Sequence, residues 1–178
     1  MRDVYLHSNH GMASSLRHRQ TKICRLVGWI PPKDGWQKVN TDGAISNVSR
    51  NALDGGLICD QHGNWIASFS KNIGRCSVLN AKLWGALEGL QLAWNLGLKR
   101  VAFEMDSTVA IHFIQATSIE HHHSVVSQAI KDLFQLYWMV RVTHVFRKGN
   151  RIVDGLELIT FSRPLGRYIY MQLSDEVF

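Results

Sequence analysis

Three aspartates stand where this chain could concentrate negative charge. Asp42 lies inside Val39-Asn-Thr-Asp42-Gly-Ala44, Asp106 ends Phe103-Glu-Met-Asp106, and Asp154 closes Asn150-Arg-Ile-Val-Asp154. The first two sit in or at the end of apolar alternations that read as strands, and the third lies one turn into a helix opened by Asn150. If neighbouring strands and a helix start bring them together, their oxygens are the hard ligands that Mg²⁺ takes. Two such ions can clamp both sides of a phosphoryl transfer. Each aspartate also has a structural reading: Asp42 as a turn former, Asp106 as a helix cap, Asp154 as a charge set against a helix dipole. Their joint occurrence in this order favours the metal reading.

The elements that must position them are legible from periodicity. Lys38 to Ala44, Gly55 to Cys59 and Asn64 to Ser70 read as three successive strands, with His62-Gly63-Asn64 turning between the last two. Ser77 to Leu96 reads as a helix, because Leu83, Leu87, Leu90 and Trp94 recur at spacings of three and four and Gly97 supplies a stop. Lys99 to Met105 is a predicted strand with Val101, Phe103 and Met105 on one face, and Ser107 caps a helix through Ile114. A helix from Ser124 to Tyr137, a strand from Met139 to Phe146 and a last helix from Asn150 to about Thr160 complete the pattern. The order β-β-β-α-β-α-α-β-α predicts an α/β domain with a five-stranded mixed sheet and helices on both faces.

A chain of 178 residues with 46% hydrophobic content fits one core. The expected division is a basic tail and Pro/Gly linker over 1–35, the domain over 36–170 and a short tail over 171–178. The formal charge is +6, and most of it falls in the first 25 residues, where Arg2, Arg17, Arg19, Lys22 and Arg25 oppose only Asp3. Such an arm is either a solvated tail or a handle for a polyanion through counterion release. Cys24, Cys59 and Cys76 are widely spaced with no CxxC pair, which predicts free thiols, no zinc site and an intracellular protein, nuclear or cytoplasmic. No apolar run reaches the ~18 residues that span a bilayer, so no membrane partner is expected. His121-His122-His123 reads as a polar loop before a helix, and Trp36, Trp65, Trp84, Trp94 and Trp138 fall at core periods.

These stretches together resemble the RNase H-like domain of plant non-LTR retroelement reverse transcriptases, within the RNase H type-1 family. The resemblance runs through Gly28-Trp-Ile-Pro-Pro32, Lys38-Val-Asn-Thr-Asp42-Gly-Ala44, Gly55-Gly-Leu-Ile58 and the helix from Asn80 to Leu96. It continues through Phe103-Glu-Met-Asp106-Ser107, His144-Val-Phe-Arg147 and Asn150-Arg-Ile-Val-Asp154-Gly-Leu156, covering about residues 28–170. It implies an endonuclease that cuts the RNA of RNA–DNA hybrids with two Mg²⁺ (or Mn²⁺) ions, acting as a monomer. By the same resemblance Asp42, Asp106 and Asp154 are the catalytic, metal-binding carboxylates, and Arg147 and Asn150 bind nucleic acid.

The chain departs from the family at the fourth carboxylate. Where the family reads Ala-Glu-Leu-Trp, this sequence reads Ala81-Lys82-Leu83-Trp84. Lys82 would bring an ammonium toward Asp42 and Asp106 and occupy the space of a metal ion. Glu88 is six residues on, roughly 9 Å along the helix and round its circumference, so it does not replace the missing ligand. The expectation is therefore a domain of hybrid-nuclease type whose cleavage is impaired. The alternatives are an inactive hybrid-binding module or a decayed retroelement fragment.

Overall fold

The computed structural model describes residues 4–6, 30–46, 49–116, 125–146 and 165–171. Seven strands form one mixed sheet: β1 (Val4–Leu6), β2 (Gln37–Ile45), β3 (Ala52–Cys59), β4 (Trp65–Gly74), β5 (Arg100–Met105), β6 (Met139–His144) and β7 (Gly166–Tyr170). Their spatial order is β1-β7-β4-β3-β2-β5-β6. The meander β2-β3-β4 is antiparallel, whereas β5 joins β2, and β6 joins β5, in parallel. Three helices, α1 (Val78–Asn95), α2 (Thr108–Gln115) and α3 (Val125–Phe134), share one apolar core with the sheet face that carries Val39, Phe69 and Phe103. The predicted order through β6 is present. The last predicted helix, which would supply the second covered face, lies outside the described residues.

Local chemistry explains where the helices start. The Ser77 hydroxyl accepts from the Asn80 amide at 3.2 Å, and the Ser107 hydroxyl does the same for Ala110 at 3.2 Å. Each satisfies one of the amides that a helix start leaves without a partner. Gly97, at φ 74°, ends α1 in a left-handed conformation that costs a glycine nothing. In β5, Val101, Phe103 and Met105 are buried as their alternation predicts.

Two features exceed the five predicted strands. β7 adds antiparallel to β4, and β1 adds parallel to β7. Val4–Leu6, within the segment expected as a tail over residues 1–35, form an edge strand of the sheet. The segment Phe161-Ser-Arg-Pro-Leu-Gly166 is followed by a strand that pairing with β4 stabilises, although its own sequence shows little alternation.

Helix α1 comes unusually close to the sheet. A Cβ on Gly43 would fall 2.4 Å from the Ala81 carbonyl carbon and 2.6 Å from the Lys82 nitrogen, and one on Gly85 would fall 2.9 Å from the Asp42 carbonyl oxygen. Only hydrogen fits at either place, so backbone lies on backbone. Substituting Gly43→Ala should cost roughly 1–3 kcal/mol or more, because the obstacle is main chain and not a side chain able to swing aside. Chemical denaturation of the variant against wild type measures it.

Beneath α1, Gly43 is followed in register by a row of charged residues: Gly43, Asp54, Lys71 and Arg167 are successive partners across β2, β3, β4 and β7. Glu88 of α1 accepts from Lys71, and from Arg167 at 2.6 Å, while the Lys71 ammonium also lies 4.1 Å from the Trp84 ring centre. Asp54 is 0% exposed, and neither of its carboxyl oxygens has a hydrogen-bond partner. Burial pushes its carboxyl well above the usual range, and Glu88 adds to this while Lys71 and Arg167 oppose it. The folded state therefore holds a proton that the unfolded chain releases. Stability from this group is full below the unfolded pKa of about 3.9 and is lost as pH rises toward the folded value. Asp54→Asn should flatten that decline and be the more stable protein at pH 8, by on the order of 1–3 kcal/mol. Thermal melts of both proteins between pH 4 and about pH 8 test the sign.

Candidate active site

The register of the two parallel strands brings the first two predicted aspartates together. Thr41 of β2 pairs with Met105 of β5 as the last rung, so Asp42 and Asp106 each follow directly and lie side by side. This is the carboxyl end of adjacent parallel strands, beside the switch from antiparallel to parallel pairing, where α/β sheets commonly place their ligands. The structural readings of both residues fail here. Asp42 is internal to β2, not in a turn, and Ser107 rather than Asp106 caps α2.

The contact at Gly43 sets the third member. It holds the Lys82 backbone against β2, from where the side chain reaches both carboxylates. The Lys82 ammonium donates to Asp42 Oδ1, and to Asp106 Oδ1 at 2.6 Å. The Gly43 amide also donates to Asp42 Oδ1, at 2.7 Å. Side-chain exposures of 15%, 4% and 10% for Lys82, Asp42 and Asp106 make this a largely dehydrated triad.

Its electrostatics follow from that dehydration. Burial raises the Asp42 carboxyl above its ordinary range, and the neighbouring Asp106 charge adds to this, while Lys82 pulls it back without cancelling the rise. For Lys82, burial alone would favour the neutral amine. The hydrogen bonds and charges of Asp106 and Asp42 outweigh it and hold the ammonium above its ordinary pKa. Two carboxylates and one ammonium leave a single net negative charge, with the cation already in place.

An ion held jointly by Asp42 Oδ1 and Asp106 Oδ1 would compete with the Lys82 ammonium for both oxygens. Among the described residues no group of three or more His, Cys, Asp or Glu is arranged to hold a metal ion. Asp154, Arg147 and Asn150 lie outside the described residues, as do Cys24 and His121-His122-His123. Cys59 is buried, Cys76 is partly buried, and neither is in a disulfide. Glu88 is committed to Lys71 and Arg167, apart from the Asp42–Asp106 pair. His144 lies on β6, exposed and edge-on to Phe146. No described helix is long and apolar enough to cross a membrane.

Sequence reasoning missed Asp54 as a buried acid. Its only signal was a charge inside the apolar stretch from Ala52 to Cys59, and the partners that give it meaning come from β4, β7 and α1.

Comparison with known proteins agrees with this geometry. The family described as reverse transcriptase-like matches residues 40–156. A candidate ribonuclease H protein of Arabidopsis thaliana is 40% identical over 157 residues, covering 88% of this chain and 25% of its own length. The chain thus spans about a quarter of that relative. Among solved structures, RNase H1 of the archaeon Halobacterium salinarum superposes with a TM-score of 0.62 at 18% identity, over 71% of this chain and 97% of that one. The N-terminal RNase H domain of a Mycobacterium tuberculosis protein gives 0.63 at 21% identity, over 70% and 91%. An RNase H1 from compost, solved with an RNA/DNA hybrid, gives 0.58 at 19% identity, over 67% and 92%. Sheet order, the paired aspartates and the match over residues 40–156 lead to one conclusion: the chain belongs to the reverse transcriptase-like family and has the RNase H-like fold.

Proposed function

We propose that this domain binds RNA–DNA hybrid and that Lys82 shuts its hydrolytic centre. The observation that carries the reading is the Lys82 ammonium bonded to both Asp42 and Asp106. Hybrid binding is supported by the fold shared with an RNase H1 solved on an RNA/DNA hybrid. A hybrid is recognised through backbone shape and 2′-hydroxyls, which require no metal chemistry of the protein. Arg147 and Asn150 are the residues we assign to that contact.

In the family reading, Asp42, Asp106 and Asp154 hold Mg²⁺ or Mn²⁺, with a glutamate as fourth ligand. The residues present do not fit that ion as they stand. An ammonium already neutralises one carboxylate charge and is bonded to Oδ1 of both aspartates. Metal binding must break two charge-assisted hydrogen bonds in a dehydrated site, and the released ammonium must then find water or another acceptor. The domain is accordingly read as a ribonuclease H relative with cleavage lost and nucleic-acid binding kept. The competing reading is a working nuclease in which three aspartates suffice.

Wild type and four variants separate these readings. Wild type should bind Mg²⁺ weakly in calorimetric titration and cut labelled hybrid no better than an Asp42→Asn, Asp106→Asn double variant. Lys82→Glu reverses the charge and restores a ligand, so Mg²⁺ affinity should rise about tenfold or more, a gain of about 1.4 kcal/mol per decade. Lys82→Ala leaves two carboxylates facing each other, and should lose roughly 3–5 kcal/mol of stability in chelator. Added Mg²⁺ should restore part of that loss through binding to the native state. Wild-type cleavage equal to that of Lys82→Glu, and abolished by Asp42→Asn, would show that the site is open.

A further inference from the structure

The far end of the sheet carries a different surface. Near the starts of strands β2, β5 and β6, Gln37, Val101 and Val140 lie side by side, opposite the end that holds Asp42 and Asp106. There a groove of about 840 Å³ lies between the edge strand β6 and helices α2 and α3. Among the described residues its lining includes Trp36, Trp138, Lys131, Arg141, Gln115 and Gln135, and no aspartate or glutamate. The proposed hybrid contact makes no use of it.

The side chains of this groove are set for a particular kind of ligand. The Arg141 guanidinium lies over the Trp36 ring, 4.4 Å from its centre, in a cation–π contact. Arg141 and Lys131 form no ion pair with a described residue, and the other described residues of the lining are uncharged. Trp138 is fixed by its indole N–H, which donates to the Leu133 carbonyl at 2.7 Å, and by edge contact with Trp94 at 5.4 Å. Held aromatic rings offer stacking area at little entropic cost. Glutamine amides supply both a donor and an acceptor, as the edge of a base requires. Nearby, Lys99 lies 4.8 Å from the Trp94 ring centre and Arg100 is exposed, which extends the positive field along the strand starts.

We infer that this groove binds a single-stranded nucleic-acid segment, with bases stacked against Trp36 and Trp138 and phosphates held by Arg141 and Lys131. Cations tracking a backbone beside sequence-tolerant aromatic platforms are how unpaired strands are held. The groove is of the size of small-ligand pockets, so a few unpaired nucleotides enter it and a duplex does not. Arg141 and Lys131, with no carboxylate among the described lining residues, favour a polyanion, and the aromatic rings and amides favour bases over an acidic peptide. The inference rests on the domain being a nucleic-acid binder, and extends it to an unpaired flank of the hybrid or a separate strand.

The test uses the full chain and fluorescence anisotropy with three probes: a labelled single-stranded oligonucleotide, a labelled blunt RNA–DNA hybrid, and polyglutamate as competitor. Exchanging Arg141→Glu and Lys131→Glu together should weaken single-strand binding about tenfold or more and reduce its salt dependence. Hybrid binding should change little, which also shows that the variant is folded. Trp138→Phe should weaken single-strand binding while leaving the salt dependence intact. Undiminished single-strand affinity in the charge-reversed protein, with hybrid binding intact, overturns the groove and leaves the hybrid reading standing. Equal loss for single strand and hybrid also overturns it, because the groove would then belong to the duplex track. Displacement by polyglutamate as effective as by unlabelled oligonucleotide would assign the groove to acidic peptides instead. Failure of wild type to bind either nucleic acid would remove both readings together.

Discussion

Helix α1 rests on strand β2 with main chain against main chain, and the candidate site depends on that contact. With hydrogen alone at Gly43 and Gly85, the Ala81–Lys82 segment reaches the strand that carries Asp42. Any side chain at these places would lift the helix. The few tenths of an ångström at stake matter because Lys82 bonds two carboxylates at once, and the ends of two strands and the first turns of one helix must coincide. Neighbouring parallel strands supply Asp42 and Asp106 at equal height, and the helix supplies the cation between them.

The same helix covers two ionic clusters of different character. At its start, one ammonium serves two carboxylates; three residues past Gly85, the Glu88 carboxylate serves the two cations Lys71 and Arg167. Each central group satisfies two opposite charges, which limits the cost of burying them. Between the clusters lies Asp54, without a hydrogen-bond partner and with its carboxyl driven toward the neutral form. Such pairs contribute less to net stability than to register. Lys71 and Arg167 are neighbours on β4 and β7 that would repel each other without Glu88, so the helix residue fixes how β7 joins the sheet.

Much of this was visible in the sequence, and what was missed has a physical reason. Caps at Ser77 and Ser107, the buried alternation of β5 and the placement of Asp42 and Asp106 at strand positions depend on local pattern. For α1 the pattern of large residues identified the helix but not its closest contact. Leu83 and Leu90 are buried, whereas Leu87 and Trp94 are only partly so, and the residues nearest the sheet include Gly85, Ala86, Gly89 and Ala93. Close approach demands small side chains, and these carry no hydrophobic signal. β1 and β7 escaped because a short strand at a sheet edge is made by its partner. The charged row from Asp54 to Arg167 escaped because strand pairing, not sequence proximity, joins its members. Lys82 could be named as the departure from sequence resemblance, but its bond to both aspartates at once required the register.

The claim that Lys82 stands in the place of a cation is most directly tested by anomalous diffraction from crystals soaked in Mn²⁺, wild type beside Lys82→Ala. The expected result is a manganese peak between Asp42 and Asp106 in the alanine variant and none there in wild type, with the Lys82 ammonium still bonded to both carboxylates. A manganese ion bound by Asp42 and Asp106 in wild type, with Lys82 swung away from them, would contradict it.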